Sequence, residues 1–337
     1  MIDFSHTEVN FRMRKRVFSG ARPTARQHIG NLLGAIDNYV KLQQDYDCVY
    51  CIVDIHALTT LRETDKIQGY IRDLALDWLA AGIDPQKSIV FVQSHVPEVT
   101  ELHTYLSMVT PLGWLLRVPT FKEKAKAQPD NVNYGLVGYP VLQTADIVLY
   151  KAEVVPVGED QLPHLELARE ITRRFNALFG ETFPEPKAKL TEFAMIPSLT
   201  GKSKMSKSEE GSAIDIAHTA EETTQRIMSA ITDPARKFRK DVGHPEVCNI
   251  YTLHKYFTPA EVEEIGKECR VAGIGCVDCK KRLAKNMNEF LAPLREKRAQ
   301  LAAKPDYIKE VLADGAARAR VIARETMGEV RKKMGLA

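Results

Sequence analysis

Residues 48–94 read CVYCIVDIHALTTLRETDKIQGYIRDLALDWLAAGIDPQKSIVFVQS. Two runs rich in β-branched and aromatic residues, CVYCIVDIHAL and SIVFVQS, enclose a stretch in which Ile67, Ile71, Leu74 and Trp78 recur at helical spacing. Thr64 or Asp65 is placed to cap the start of that helix and Gly82 its end. Strand, helix and strand in this order form a β-α-β unit, whose two strands are parallel. RVFSGA, just upstream, reads as a further strand, so Val17 to about Tyr150 belongs to an α/β fold with a parallel sheet. A second helix is expected from about Gln161 to Phe179, with His164, Ala168, Ile171, Phe175 and Leu178 on one face and Gly180 as its stop. TFPEPKAKL after it reads as a loop. Beyond about Ala213 helical patterns such as TAEETTQRIMSAI and PAEVEEIGKECR replace the strand signals.

The 337 residues, 44% hydrophobic and 27% charged, have normal globular composition and suggest two domains. No apolar run approaches the roughly 18 residues of a membrane span, and the opening MIDFSHTEVNFRMRKR lacks the apolar centre of a signal peptide, so a cytoplasmic protein is expected. A net charge of +3 neither requires nor excludes a nucleic-acid partner. The basic clusters at Arg12 to Arg16, at Arg173 and Arg174, and from Arg318 to Lys333 are read first as solvated faces and only second as nucleic-acid contacts.

SGARPTARQHIGNLLGAI, residues 19–36, runs from a strand end through a proline turn and a glycine into a helical pattern. A helix start offers free N–H groups and partial positive charge to phosphate, and Gly30 removes a side chain that would hold a nucleotide away. A histidine and a glycine at a helix start also serve as plain capping. The second element, GKSKMSKS at residues 201–208, carries Lys204 and Lys207, two cations able to clamp a triphosphate. It is not a Walker loop, because the first glycine of that motif would fall on Ile196.

In this order, His28-Ile29-Gly30-Asn31 and Lys204-Met205-Ser206-Lys207-Ser208 resemble the paired HIGH and KMSKS signatures of class I aminoacyl-tRNA synthetases. The second is complete and the first ends in asparagine, a departure familiar in the tryptophanyl branch. FSGARPT, CIVDIHALTT, AGIDP, TFKEKA and YPVLQTADIVLYKAEVVPVGEDQLPHLELAREI all resemble tryptophanyl-tRNA synthetases in the family's order, from about Val17 to Thr232. The ADIVLY and GEDQ contexts favour this branch over the tyrosyl one.

The resemblance implies a basic N-terminal extension at residues 1–16, a Rossmann-type catalytic domain at 17–212 and an all-helical anticodon-binding domain at 213–337, whose last helix can pack back on the catalytic domain. It implies activation of L-tryptophan with ATP and magnesium, transfer to tRNA(Trp), and a homodimer. Asp146 is expected to accept the indole N–H, since a buried carboxylate is a strong acceptor for such a donor. By resemblance Tyr139 and Gln161 hold the α-amino group, Phe18 packs near the indole, and His56 and Gln143 line the same pocket, Gln143 where many bacterial relatives carry methionine. ATP is expected against Arg22, Gly30, Asn31, Gly158, Asp160, Lys204, Met205, Ser206, Lys207 and Ser208, with Asp160 on a ribose hydroxyl. His28, Lys124, Lys204 and Lys207 are the expected catalytic groups at the phosphates. Taken singly, Asp146 also fits a helix-start carboxylate, Tyr139 a core ring and His56 a satisfied histidine at a strand end.

Cys48 and Cys51 lie three apart in a strand and so face opposite sides, which suits core thiols rather than a shared metal. Cys248, Cys269, Cys276 and Cys279 are spaced C-x20-C-x6-C-x2-C, which suits a tetrahedral metal or a cubane. A subset of tryptophanyl-tRNA synthetases carries a similar pattern, with a slightly longer first spacing, that holds a [4Fe-4S] cluster. Zinc and free thiols are the alternatives.

Overall fold

A computed structural model of the chain describes residues 14–127, 129–190, 196–201, 205, 206, 209 and 211–337, apart from the side chains of residues 120, 124 and 127. Five parallel strands form one sheet: β1 (Arg16–Ala21), β2 (Asp47–Ile52), β3 (Ser88–Val92), β4 (Val154–Val157) and β5 (Lys187–Leu190), in spatial order β3-β2-β1-β4-β5. The chain therefore builds outward from β1 in one direction, returns, and builds outward in the other. Such a reversal opens a crevice above the carboxyl ends of the two strands beside it, here β1 and β4.

The strand alternation divides the core in two. Val17, Cys48, Tyr50, Ile52, Val90 and Val92 point to one face, while Phe18, Val49, Cys51, Ile89 and Phe91 point to the other. Cys48 and Cys51 are thus buried core thiols on opposite sides of β2, and all six cysteines are free. The first face is covered by a helical segment spanning residues 29–42 and by the helix Ile67–Ala81, whose Trp78 packs edge-on against Tyr39 and Tyr50. The second face is covered by the helices Glu98–Val109, Tyr134–Leu149 and Leu162–Phe179.

Several details differ from the expectations. The helix at Ile67–Ala81 ends at the left-handed Gly82, but its N-cap is Lys66, and no side chain of Thr64 or Asp65 caps it. His56 lies in a short helix, Asp54–Ala57, rather than at a strand end. Leu178 is 55% exposed while His164, Ala168, Ile171 and Phe175 of the same helix are buried. Within TFPEPKAKL, Lys187–Leu190 is a strand, not a loop. Lys187 and Leu190 are exposed, and the segment joins the sheet through its backbone; charged residues on such an edge discourage further pairing.

After residue 213 the described elements are helices, closing with Cys276–Ala302 and Pro305–Lys333. The last helix returns to the sheet and covers β3, so closely that a Cβ at Gly315 would overlap the carbonyl oxygen of Val90. Arg320 and Arg324 reach Glu98, and Arg331 pairs with Glu101 at 2.5 Å, tying this helix to Glu98–Val109. Gly315→Ala is expected to destabilise the protein by about 1–3 kcal/mol in urea or thermal unfolding, because the obstacle is backbone. Gly328→Ala on the same helix meets nothing within 4 Å and should be neutral or slightly stabilising.

Candidate active site

A cavity of about 520 Å³ occupies the crevice above β1 and β4. Phe18, Ser19 and Gly20 of β1 form one side, and Val155 to Gly158, at the end of β4, the other. The helix Tyr134–Leu149 contributes Tyr139, Gln143 and Asp146, and the start of the helical segment at residue 29 contributes His28, Gly30 and Asn31. Arg22, His56, Asp160, Gln161 and Met205 complete the expected residues that line this one cavity.

At the nucleotide-signature end, the Asn31 side-chain oxygen accepts a hydrogen bond from the His28 backbone N–H at 3.1 Å, so asparagine at this position closes the helix start. A Cβ on Gly30 would stand 2.9 Å from the His28 ring; in this arrangement the glycine makes room for the histidine before it makes room for any nucleotide. The loop is pinned from below by Ile29 N–H to Ile214 O at 3.0 Å and Ile216 N–H to Gln27 O at 2.9 Å. Met205 is buried and held by its N–H on Ile196 O at 2.9 Å. Ser206 lines an adjoining cavity together with Arg26, His218 and Arg226. Lys204, Lys207 and Ser208 lie outside the described residues. Lys124 lies in the helix Pro119–Ala127, and its side chain also lies outside the description.

At the opposite end Asp146 is 2% exposed. A buried carboxylate needs donors, and it has them: the Gln93 amide nitrogen at 2.8 Å from both oxygens and His56 Nε2 at 2.9 Å from one. Phe18 stacks on Tyr150 with ring centroids 5.7 Å apart, forming an apolar wall beside this carboxylate. Behind it, burial together with the nearby His56 lowers the pKa of His103, against a smaller upward pull from Asp146, which favours neutral imidazole.

Between the two ends runs a chain of hydrogen bonds. Tyr139 Oη lies 2.6 Å from His164 Nε2, His164 Nδ1 lies 3.2 Å from Gln161 Oε1, and Gln161 Nε2 donates to Asp160 Oδ2 at 2.7 Å. Because Gln161 Oε1 can only accept, His164 carries its proton on Nδ1, and Tyr139 donates to Nε2. Both the Tyr139 and Gln161 oxygens are thereby set as acceptors. His164 and Gln93 were not among the residues expected from the sequence; the only available signal, helical spacing or a strand end, marks them as core.

The four remaining cysteines also converge. Cys248, Cys269, Cys276 and Cys279 face a second cavity of about 20 Å³, closed by Ile250, Ile265 and Ile274. Burial, reinforced by the other three thiols, pushes the Cys279 thiol up to about 12. Cys279 Sγ lies 3.3 Å from His254 Nε2, and Arg236 Nη1 lies 3.7 Å from Cys269 Sγ. Among the described residues, no three His, Cys, Asp or Glu side chains stand in a geometry that could hold a metal ion.

Residues 12–292 match the family described as tRNA synthetases class I (W and Y). The tryptophan--tRNA ligase of Deinococcus radiodurans is 48% identical over 326 residues, covering 95% of this chain and 98% of that protein. That of Thermotoga maritima is 47% identical over 327 residues, covering 95% and 99%. The tryptophanyl-tRNA synthetase of Campylobacter jejuni, crystallised with ADP and tryptophan, superposes with a TM-score of 0.87 at 37% identity, covering 95% of this chain and all of that one. Matching this family over residues 12–292, and similar to tryptophan--tRNA ligases along nearly the whole chain, the protein belongs to the class I tRNA synthetases of the W and Y family, in its tryptophanyl-tRNA synthetase branch.

Proposed function

We propose that the cavity binds L-tryptophan at its Asp146 end and MgATP at its His28 end, forms tryptophanyl-adenylate, and passes the amino acid to the 3′ end of tRNA(Trp). The observation that carries this reading is the buried, multiply hydrogen-bonded Asp146 carboxylate on an otherwise apolar wall. Such a group is a strong acceptor for one N–H on a large flat ring. A site organised around that hydrogen bond rejects rings that lack the donor, by about 10⁴ when well formed, without an editing step.

A tryptophan carboxylate oxygen attacks the α-phosphorus of ATP, forming the mixed anhydride and breaking the bond to pyrophosphate. The terminal ribose hydroxyl of tRNA then attacks the anhydride carbonyl, and AMP leaves. No protein nucleophile is required, so the side chains act by holding and by stabilising charge. Tyr139 and Gln161 accept hydrogen bonds from the α-ammonium, with His164 keeping their oxygens acceptor-ready. Asp160 takes a ribose hydroxyl beside Gly158, and Arg22, Gly30 and Asn31 complete the nucleotide side. His28, Lys124, Lys204 and Lys207, with Met205, Ser206 and Ser208 in the lysine segment, offset the growing charge on pyrophosphate.

In this reading residues 17–212 are the catalytic domain and 213–337 the anticodon-binding domain. Met108, Leu112, Leu116 and Tyr134 are exposed apolar side chains on neighbouring helices, and this surface suits a second copy of the chain in a homodimer. The four-cysteine site would hold a [4Fe-4S] cluster, with zinc as the alternative. The donor types suit such a group: four thiols face one cavity, and a cation would stabilise the thiolates that burial and mutual proximity otherwise keep protonated, although among the described residues no three of them, as placed, stand in metal-holding geometry. Arg236 and the half-buried Lys280 flank them with compensating positive charge. When bound, the cluster would supply cross-linking of the loops that carry its cysteines.

Tryptophan-dependent exchange of pyrophosphate into ATP tests the activity directly. Exchange with tryptophan and not tyrosine is expected, and Asp146→Ala should lower kcat/KM for tryptophan by about 100-fold or more. Tyrosine dependence would move the protein to the sister specificity. For the cysteine site, protein prepared without oxygen should contain equimolar iron and acid-labile sulfide, both lost in Cys279→Ser. Stoichiometric zinc instead would assign the site to zinc, and neither metal would leave it a thiol cluster.

A further inference from the structure

We propose that Gln93 is a positioning residue for amino-acid selection: its carboxamide fixes the Asp146 carboxylate, and through it sets the preference for a ring that carries an N–H. This rests on the reading of Asp146 as the indole acceptor.

Gln93 follows the last residue of β3, at the carboxyl edge of the sheet, and is 1% exposed. It does not line the cavity, so it can influence a bound amino acid only through a neighbour. Its two ends are assigned by their partners. The side-chain oxygen accepts the backbone N–H of His56 at 3.2 Å, which leaves the nitrogen facing Asp146 at 2.8 Å from Oδ1 and 2.8 Å from Oδ2. Three elements meet in this one amide: the end of β3, the short helix Asp54–Ala57 and the helix Tyr134–Leu149.

The distribution of donors on the carboxylate gives the amide its role. Among the described residues Oδ2 receives both Gln93 and His56, whereas Oδ1 receives Gln93 alone. An ionised carboxylate oxygen accepts about two hydrogen bonds, so Oδ1 is the oxygen with capacity for an indole N–H. The bridging amide holds the carboxylate plane; with only His56 remaining, the group is free to rotate about its χ2 bond and turn Oδ1 away. Recognition of a single N–H depends on such alignment, because hydrogen bonds weaken steeply when bent.

The test compares pyrophosphate exchange with tryptophan and with its isostere in which sulfur replaces the indole N–H. Wild type, Asp146→Asn, Gln93→Met and Gln93→Glu are measured alongside KM for ATP and thermal unfolding. Gln93→Met keeps length and volume without the donor. It should raise KM for tryptophan about tenfold and lower the tryptophan-to-isostere ratio by about tenfold or more, with KM for ATP within about twofold. Gln93→Glu keeps the shape but sets a second carboxyl against Asp146, and the two coexist only while sharing a proton. Its ratio should therefore approach wild type near pH 6 and fall toward pH 8, relative to wild type with the same His56, His103, Asp54, Cys51 and Tyr150 neighbours. A wild-type and Asp146→Asn pair that both ignore the N–H would sink the reading of Asp146 and this proposal with it. If wild type discriminates, Asp146→Asn does not, and both Gln93 variants keep the full ratio, Asp146 stands and Gln93 is packing only.

Discussion

A parallel sheet needs helices on both faces, and here they bury β1, β2 and β3 while the edge strand β5 stays exposed. Here that requirement, with the outward growth of the sheet on either side of β1, leaves one opening above β1 and β4. The chain ends at β1 and β4 are brought together by backbone pairing, not by side chains, so the opening persists whatever residues line it. Phe18, Ser19 and Gly20 reach it from the second half of β1, and Val157 and Gly158 from the end of β4. The last helix of the chain reinforces the arrangement by covering β3, the edge farthest from the opening on that side, where a glycine lets it touch the backbone.

Two polar networks then divide the opening by chemistry. Around Asp146 the donors come from the short helix Asp54–Ala57 and from the residue after β3 and fix an acceptor; around His164 a tautomer is fixed and two further acceptors face the cavity. Each network buries groups that would be costly if unpaired, and each avoids the cost by bonding across elements far apart in sequence, Gln93 with Asp146 and Tyr139 with His164. Partnering and positioning are therefore one arrangement: the bonds that make burial tolerable also hold the acceptors still.

The helical run at residues 67–81 was legible because its periodicity records which face is buried, and β2 and β3 because burial on both faces gives them continuous apolar runs. β5 was not, because Lys-Ala-Lys-Leu has neither the composition nor the alternation of a buried strand and is recruited by the free edge of β4. Phe18, His28, Tyr139, Asp146, Gly158 and Gln161 were legible as a set because their ordered context resembles a family, and the fold gathers them on one cavity. Gln93 and His164 escaped for a different reason. Each does its work through a partner 53 or 25 residues away, and a pattern read along the chain carries no signal for such a contact.

The signature segments themselves are joined in a way that spacing does not reveal. Ile29 and Gln27, either side of His28, exchange backbone hydrogen bonds with Ile214 and Ile216, which follow the lysine segment. Ile196 in turn accepts from Met205, so the described residues on either side of that segment are both anchored to buried residues. Ile214, Ile216 and Ile250 share one core with Ile29. The start of the nucleotide-side helix is thus joined to the stretch after the lysine segment by apolar packing and two short backbone bonds. This small antiparallel bridge is made by backbone atoms that substitution of a single side chain does not remove.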